Sequence, residues 1–303
     1  MHVLVTGGLG FIGGRLTRRL LDRGDRVTTL DLPRFGVRSK PVGDGLSVRF
    51  VDILDGDAIL PYFEGVDAVV HSAGVHHVDE VVRHPNRHVD VNVKGTLNVL
   101  DAAAQHGTRR MVQLSTAKVY GPSFDASRES DLVRPADEYA LGKCVAETYC
   151  AHYAETRDME VTAVRPFSVY GPGMDMRTGY CGALLDSLVT GGDPVLSGAA
   201  DYSRDFVHVD TVVDVLLATL RLDADLPQIV NAGSGTSTSL AELVAIFSCH
   251  AGRQLHPTYS EPRPGTLDRT LADVSLMNEL ASPDVPDLAS GIAETVHALW
   301  NSA

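Results

Sequence analysis

The sequence predicts an α/β protein: a doubly wound parallel sheet with a smaller, partly interleaved C-terminal substrate region. Three observations carry that expectation. Short apolar runs alternate with helix-length segments through the first half, and parallel strands need such crossover connections. The first strand runs into a glycine-rich turn that opens directly into a helix, the start of a Rossmann-type dinucleotide-binding sheet. Past about residue 171 glycine, proline and aspartate become frequent and the helices shorten. The expected division is residues 1–170 for the sheet domain and 171–303 mainly for substrate, with later segments such as 204–232 returning to the sheet.

Each element has its own signal. His2 to Thr6 is a short apolar run stopped by glycines, so it reads as a buried strand. Phe11 to Arg23 carries Ile12, Leu16, Leu20 and Leu21 at helical spacing and stops at Gly24. Further strands are expected over Arg26 to Leu32, Ser47 to Val51, Ala68 to His71, Arg110 to Ser115 and Glu160 to Arg165, and a short one over Gln228 to Ala232. Pro85 to His106 reads as a long helix closed by Gly107, with Val89, Val93, Leu97 and Leu100 along one face, and Asp137 to Arg157 reads as another.

Composition bounds the function. The 303 residues are 44% hydrophobic and 21% charged, ordinary for a globular chain and ample for a core. A net charge of −13 repels polyanions, so nucleic acid and anionic membranes are poor partners. No apolar stretch is long enough for a membrane span. The start, Met-His-Val-Leu-Val-Thr-Gly-Gly, lacks a basic segment followed by an apolar run, so no secretory leader is expected. Cys144, Cys150, Cys181 and Cys249 show no CxxC spacing and are expected to be buried free thiols in a reducing cytoplasm.

Thr6-Gly7-Gly8-Leu9-Gly10-Phe11-Ile12-Gly13 satisfies GxGxxG through Gly8, Gly10 and Gly13, and GxxGxxG through Gly7, Gly10 and Gly13. Glycine permits the tight turn and the approach of backbone N–H groups to a pyrophosphate. The helix start at Phe11, Ile12 and Gly13 adds unpaired N–H groups and the positive dipole end. Asp31 closes the second strand, 18 residues after Gly13, where a carboxylate accepts both ribose hydroxyls of NAD and repels a 2′-phosphate. Arg34 and Arg38 lie nearby and keep NADP as the minority option. Asp52 and Ile53, after the third strand, are placed to flank an adenine, although a solvated turn aspartate is an equal reading.

Tyr139 and Lys143 stand four apart, on one face of the predicted helix. A nearby ammonium favours the phenolate and brings Tyr139 towards the range of a general base for a sugar hydroxyl. Alone, YxxxK is a common accident; with the glycine turn and Asp31 it is not.

These residues resemble the extended branch of the short-chain dehydrogenase/reductase superfamily, specifically the nucleotide-sugar epimerases and dehydratases. The resemblance runs nearly the whole length: the glycine turn, His71-Ser72-Ala73-Gly74, Asn92-Val93-Lys94-Gly95-Thr96, Ser115-Thr116-Ala117-Lys118-Val119-Tyr120-Gly121, Tyr139 to Lys143, Arg165 to Pro172, Arg204-Asp205-Phe206-Val207-His208-Val209-Asp210 and Arg263-Pro264-Gly265. It implies that Thr116 hydrogen-bonds the reacting sugar oxygen, Tyr139 takes its proton, and Lys143 holds the nicotinamide ribose and lowers the Tyr139 pKa. It implies bound NAD, a nucleotide-diphosphate sugar as substrate, and a homodimer built on the two long helices. Arg204 and Arg263 match positions whose arginines grip the diphosphate, a task the guanidinium fork suits.

The departures narrow the activity. Ser168 stands where the family often has an asparagine that contacts phosphate, and Thr266 where an acidic residue is common. The 4,6-dehydratases carry Asp-Glu straight after the threonine; here those positions are Ala117 and Lys118, which supply no carboxyl acid. Lys118 either faces solvent or meets a sugar carboxylate. Tyr120 and Tyr170 read as packing residues. His84 and His88, with His76 and His77 before them, lack any HExxH-like pattern, so no metal is expected; they are expected to line a loop near the site or face solvent. The leading expectation is an NAD-dependent nucleotide-sugar 4-epimerase. Its rival is a ketoreductase or dehydrogenase with exchangeable NAD(P)H, ahead of a 4,6-dehydratase or a non-catalytic NAD sensor.

Overall fold

A computed structural model of the chain describes residues 1–33, 43–76, 84–123, 125–223, 225–263 and 265–301. Arg34, Arg38, His77 and Pro264 lie outside the described residues. The elements run β1 (His2–Thr6), α1 (Phe11–Asp22), β2 (Arg26–Asp31), β3 (Leu46–Phe50), α2 (Gly56–Ile59) and β4 (Ala68–His71). Then come α3 (Pro85–Val89), a π-helical turn (Asp90–Lys94), α4 (Gly95–Gln105), β5 (Arg110–Leu114), α5 (Glu138–Thr156), β6 (Glu160–Pro166) and β7 (Ser168–Tyr170). The remainder is α6 (Gly179–Thr190), β8 (Val195–Ser197), β9 (Ser203–His208), α7 (Val209–Ala218), β10 (Ile229–Ala232), β11 (Ser237–Ser239), α8 (Leu240–Ala251), β12 (Thr258–Ser260), α9 (Ser275–Leu280) and α10 (Leu288–Asn301).

The main sheet has seven strands in the order β10-β6-β5-β4-β1-β2-β3. Every pairing from β3 to β6 is parallel. The order reverses between β1 and β4, and in such sheets ligands bind at the carboxyl ends of the strands beside that switch point. The central strands are apolar on both faces because helices cover both. Val3, Leu4, Val5, Val69 and Val70 are fully buried. One core cluster joins Leu4, Val69 and Met111 of the sheet to Val99, Leu100 and Ala103 of α4 and Cys150 and Tyr153 of α5.

The long helix expected from Pro85 to His106 is interrupted. A π turn at Asp90–Lys94 separates α3 from α4. The expected apolar face holds only in its second half: Leu100 is fully buried and Leu97 packs on the core, but Val89 is 53% exposed, and before Gly95 the buried positions are His88 and Asn92, followed by Thr96. These three are polar, so apolar periodicity pointed at the wrong stripe there.

The chain divides into two compact units. The first comprises residues 1–116, 138–165 and 213–230; the second comprises 117–137, 166–212 and 231–303. The expected return of the chain to the sheet domain is present over 213–230 but not over 204–212 or 231–232, and the expected boundary at 170 lies instead at 165, with 117–137 in the second unit. Residues 117–137 belong to the second unit because Ser127 bridges Ala272 and its backbone bonds Leu271 and Asp273. Residues 204–212 belong there because β9 pairs with β7 and β11. That unit holds the three-stranded sheet β11-β9-β7 and the two-stranded sheet β12-β8.

Candidate active site

The dinucleotide turn lies wholly in the first unit. Gly7 has φ +70, and a Cβ there would stand 2.8 Å from Ala73 N. A Cβ on Gly13 would overlap Gly7 O, and one on Gly8 would meet Thr29 Cγ2 at 2.5 Å. Both glycine patterns read from the sequence are therefore used: Gly7 for its conformation, Gly8 and Gly13 for close packing. Gly10 is exposed and is the N-cap of α1, with no side chain to bond the first-turn N–H groups of Phe11, Ile12 and Gly13. The helix terminus therefore has no side-chain cap, and an anionic ligand could take that place. Asp31 Oδ1 accepts from Leu9 N at 3.0 Å, which fastens the carboxylate to the turn. This combination fits a dinucleotide with free ribose hydroxyls.

Asp52 and Ile53 separate in role. Asp52 Oδ1 accepts from Leu54 N at 3.0 Å. Ile53 turns inward, 6% exposed and packed so closely on α4 that a Cβ on Gly95 would come within 2.6 Å of its Cδ1. Its carbonyl accepts from Asn98 Nδ2 at 2.8 Å.

Tyr139 is half-buried in the first turn of α5, and Lys143 is buried one turn further on. Lys143 Nζ donates to Leu114 O at 2.7 Å, at the carboxyl end of β5 and two residues before Thr116. Burial lowers its pKa to about 8, against the raising influence of Cys150 and Glu147. An ammonium this near neutrality responds to small changes in its surroundings. Below Thr116, Ser115 Oγ donates to Glu147 Oε1, and Arg165 grips the same carboxylate with Nε at 3.0 Å and Nη2 at 2.6 Å. The strand end carrying Thr116, the helix carrying Lys143 and strand β6 are thus bound through one half-buried carboxylate.

A second buried network reaches the start of α5. Thr6 Oγ1 meets His71 Nδ1 at 2.6 Å, and His71 Nε2 meets Thr96 Oγ1 at 3.1 Å. Thr96 donates to Asn92 O. The Asn92 amide clamps Val75, accepting from its N and donating to its O, both at 2.8 Å, and also donates to His88 Nδ1 at 2.7 Å. His88 Nε2 completes the line on Glu138 O at 2.7 Å. His88 therefore neither lines a loop nor faces solvent, as the sequence suggested; it is 1% exposed. Burial pushes the pKa of His71 down to about 3, with Lys143 adding to the effect.

The other sequence-derived residues fall in the second unit. Arg204, on β9, is 7% exposed. It donates to Ser203 O at 2.7 Å and to Leu267 O, and lies 5.3 Å over the Tyr180 ring. Tyr180 in turn donates to Ser197 O at 2.8 Å, and Ser197 Oγ accepts from Arg263 N at 3.1 Å. The two arginines thus share one corner of this unit, with the Arg263 side chain exposed. Ser168, half-buried on β7, pairs in register with Phe206. Lys118 Nζ donates to Asp137 Oδ2 at 2.9 Å, a contact that neither sequence reading of this lysine included. Tyr120 and Tyr170 are packed, Tyr120 donating to Asn231 Oδ1 and Tyr170 set edge-on to His208. His76 is exposed. The four cysteines are free, but only Cys150 and Cys181 are buried; Cys144 is half-buried and Cys249 exposed.

The family model for NAD dependent epimerase/dehydratase proteins matches residues 3–233. The chain belongs to this family. It is an enzyme of the extended short-chain dehydrogenase/reductase type, and its cofactor is NAD. A UDP-glucose 4-epimerase of Mycolicibacterium smegmatis is 33% identical to it, with both chains covered in full. Among solved structures, MoeE5 in complex with UDP-glucose and NAD superposes with a TM-score of 0.92 at 27% identity, over 100% of this chain and 99% of that one. TunA, an NAD-dependent NDP-hexosamine 5,6-dehydratase of tunicamycin biosynthesis, gives 0.88 at 29% identity, over 100% and 98%. Among the described residues no helix is long and apolar enough to cross a membrane.

Proposed function

We propose that this enzyme is a nucleotide-sugar 4-epimerase that works through a transient 4-keto sugar. The observation that carries the reading is Lys143 seated on Leu114 O, one helical turn from Tyr139 and at the strand end that leads into Thr116. Thr116 holds the sugar O4 by a hydrogen bond. Tyr139 takes the O4 proton as hydride leaves C4, and Lys143 stabilises the phenolate and the nicotinamide ribose. NAD, when bound, supplies the acceptor and later the donor of that hydride. The keto sugar turns over, its other face is reduced, and Tyr139 returns the proton to O4.

Asp31 and the α1 terminus account for the dinucleotide, and Arg204 with Arg263 for the sugar diphosphate. The resemblance gives 4,6-dehydratases a carboxyl acid straight after the threonine; Ala117 supplies none, and Lys118 is engaged with Asp137. That favours epimerisation over 4,6-dehydration. Exposed Val89, Leu141 and Tyr149 on α3 and α5 support pairing with a second copy, which sedimentation of the purified protein measures.

The test is product analysis with UDP-, dTDP-, GDP- and CDP-sugars and no added cofactor. Interconversion of 4-epimers by protein carrying its own NAD is expected. Stoichiometric consumption of NADH or NADPH with a keto sugar would replace this reading with a ketoreductase.

A further inference from the structure

The network through Asn92 does more than fill space, because it ends on the backbone beside Tyr139. The Asn92 amide nitrogen has two hydrogens, and they go to Val75 O and His88 Nδ1. His88 Nδ1 therefore accepts, and the ring hydrogen sits on Nε2, where it is donated to Glu138 O. Glu138 is the first residue of α5 and Tyr139 the second. The imidazole lies with its centroid 6.1 Å from the Tyr139 ring, tilted by 51°. It reaches the carbonyl only because residue 142 is glycine: a Cβ there would stand 2.6 Å from His88 Nε2 and 3.0 Å from Cε1. A glycine inside a helix costs about 1 kcal/mol relative to alanine, so the close approach is kept against helix propensity.

We propose that His88 is a positioning residue for the Tyr139 base. Its Nε2–H holds the Glu138 carbonyl, and Gly142 makes room for it, so that the first turn of α5 presents the phenol at a fixed place relative to Lys143. The proposal rests on the reading of Tyr139 as the base. It needs the neutral Nε2–H tautomer, which the Asn92 donor enforces. Small displacements of a reacting group are costly, because the effective concentration of a well-aligned group falls steeply with misplacement.

Three variants of the NAD-loaded enzyme test it: His88→Phe, which keeps the ring and removes the donor; His88→Gln, whose amide N–H stands near the place of Nε2–H; and Gly142→Ala, which displaces the imidazole while favouring the helix. Two quantities are read for each. One is the midpoint of the Tyr139 tyrosinate absorbance, isolated by subtracting the titration of Tyr139→Phe. The other is kcat and KM with UDP-glucose. His88→Phe and Gly142→Ala are each expected to raise the midpoint and lower kcat about tenfold or more, with KM and bound NAD unchanged. Combined they should lose little more than either alone, since both break one contact. His88→Gln should recover most of both signals. A purely structural histidine would lower the unfolding temperature and leave the tyrosinate midpoint in place; that result, with Tyr139→Phe inactive, overturns the positioning role alone. Undiminished turnover in Tyr139→Phe overturns the base reading itself, and the proposal with it.

Discussion

Each unit holds one carboxylate at the centre of a hydrogen-bond cluster, and the two clusters are built differently. In the first unit Glu147 is answered by side chains, the Arg165 guanidinium and the Ser115 hydroxyl. In the second unit the answer comes mostly from the backbone. Asp205, fully buried, accepts from Ser234 N, Ser234 Oγ, Gly235 N and Ala272 N, and Arg204 donates to the carbonyls of Ser203 and Leu267. A carboxylate shared among side chains links strand ends and a helix that must hold a proton-transfer geometry. A carboxylate that collects amide N–H groups ties loops together. The first arrangement braces the strand end and helix that carry the proposed base, and the second braces the loops around the proposed diphosphate arginines.

The sharpest way to break this contrast is at the reacting centre. Tyr139→Phe should lower turnover about a thousandfold while the protein still carries NAD, checked by single-turnover assay and cofactor release. Next in size is the buried pair. Glu147→Gln leaves Arg165 uncompensated and should cost about 3 kcal/mol in denaturant unfolding, more than Asp205→Asn in the second unit. Equal losses would erase the distinction between the two modes.

Arg204→Lys tests the binding surface. A point charge cannot reproduce the guanidinium fork, so KM for the sugar nucleotide should rise about tenfold with bound NAD unchanged. The pH dependence of stability separates the units further. His71 is near 3 when folded against 6.5 ordinarily, so the unfolded chain takes up a proton the folded chain refuses. Its contribution is complete above 6.5 and is lost as pH falls towards 3, by up to about 1.4 kcal/mol per unit. His71→Gln should flatten that acid limb in urea titrations. The smallest effect is expected at Lys118→Ala. That pair is 38% exposed on the lysine side, so its loss should change stability by less than about 1 kcal/mol.

Much of this was legible in the residues. β1 and β4 have the bounds that their apolar runs announce, and α1 ends one residue before the expected Arg23. The glycine turn and Asp31 lie together because the motif joins a strand end to a helix start, and that relation is local. What escaped was non-local or polar. Periodicity counts apolar residues, so of the stripe Val89, Val93, Leu97 and Leu100 it placed the last two correctly and missed the buried His88, Asn92 and Thr96. Their burial is tolerable only because His71 of β4, Val75 in the loop after it and Glu138 of α5 satisfy them, and no spacing rule announces such partners. The pairing of Lys118 with Asp137 crosses 19 residues and is equally invisible in sequence.

The π turn at Asp90–Lys94 gives the long helix two phases. A π turn carries one residue more than the α-helical turn it replaces. Deleting a single residue within 90–94 would leave a continuous α-helix of ordinary appearance, with α4 still seated on the sheet. The segment before it would rotate by about 100° and retract by about 1.5 Å, carrying His88 off its carbonyl. Insertions and deletions are usually tolerated in loops and damaging in helices. Here one helical residue acts as a phase setting: losing Asp90 or Lys94 would part His88 from the first turn of α5 while Lys143 stays on Leu114 O and Glu147 on Arg165.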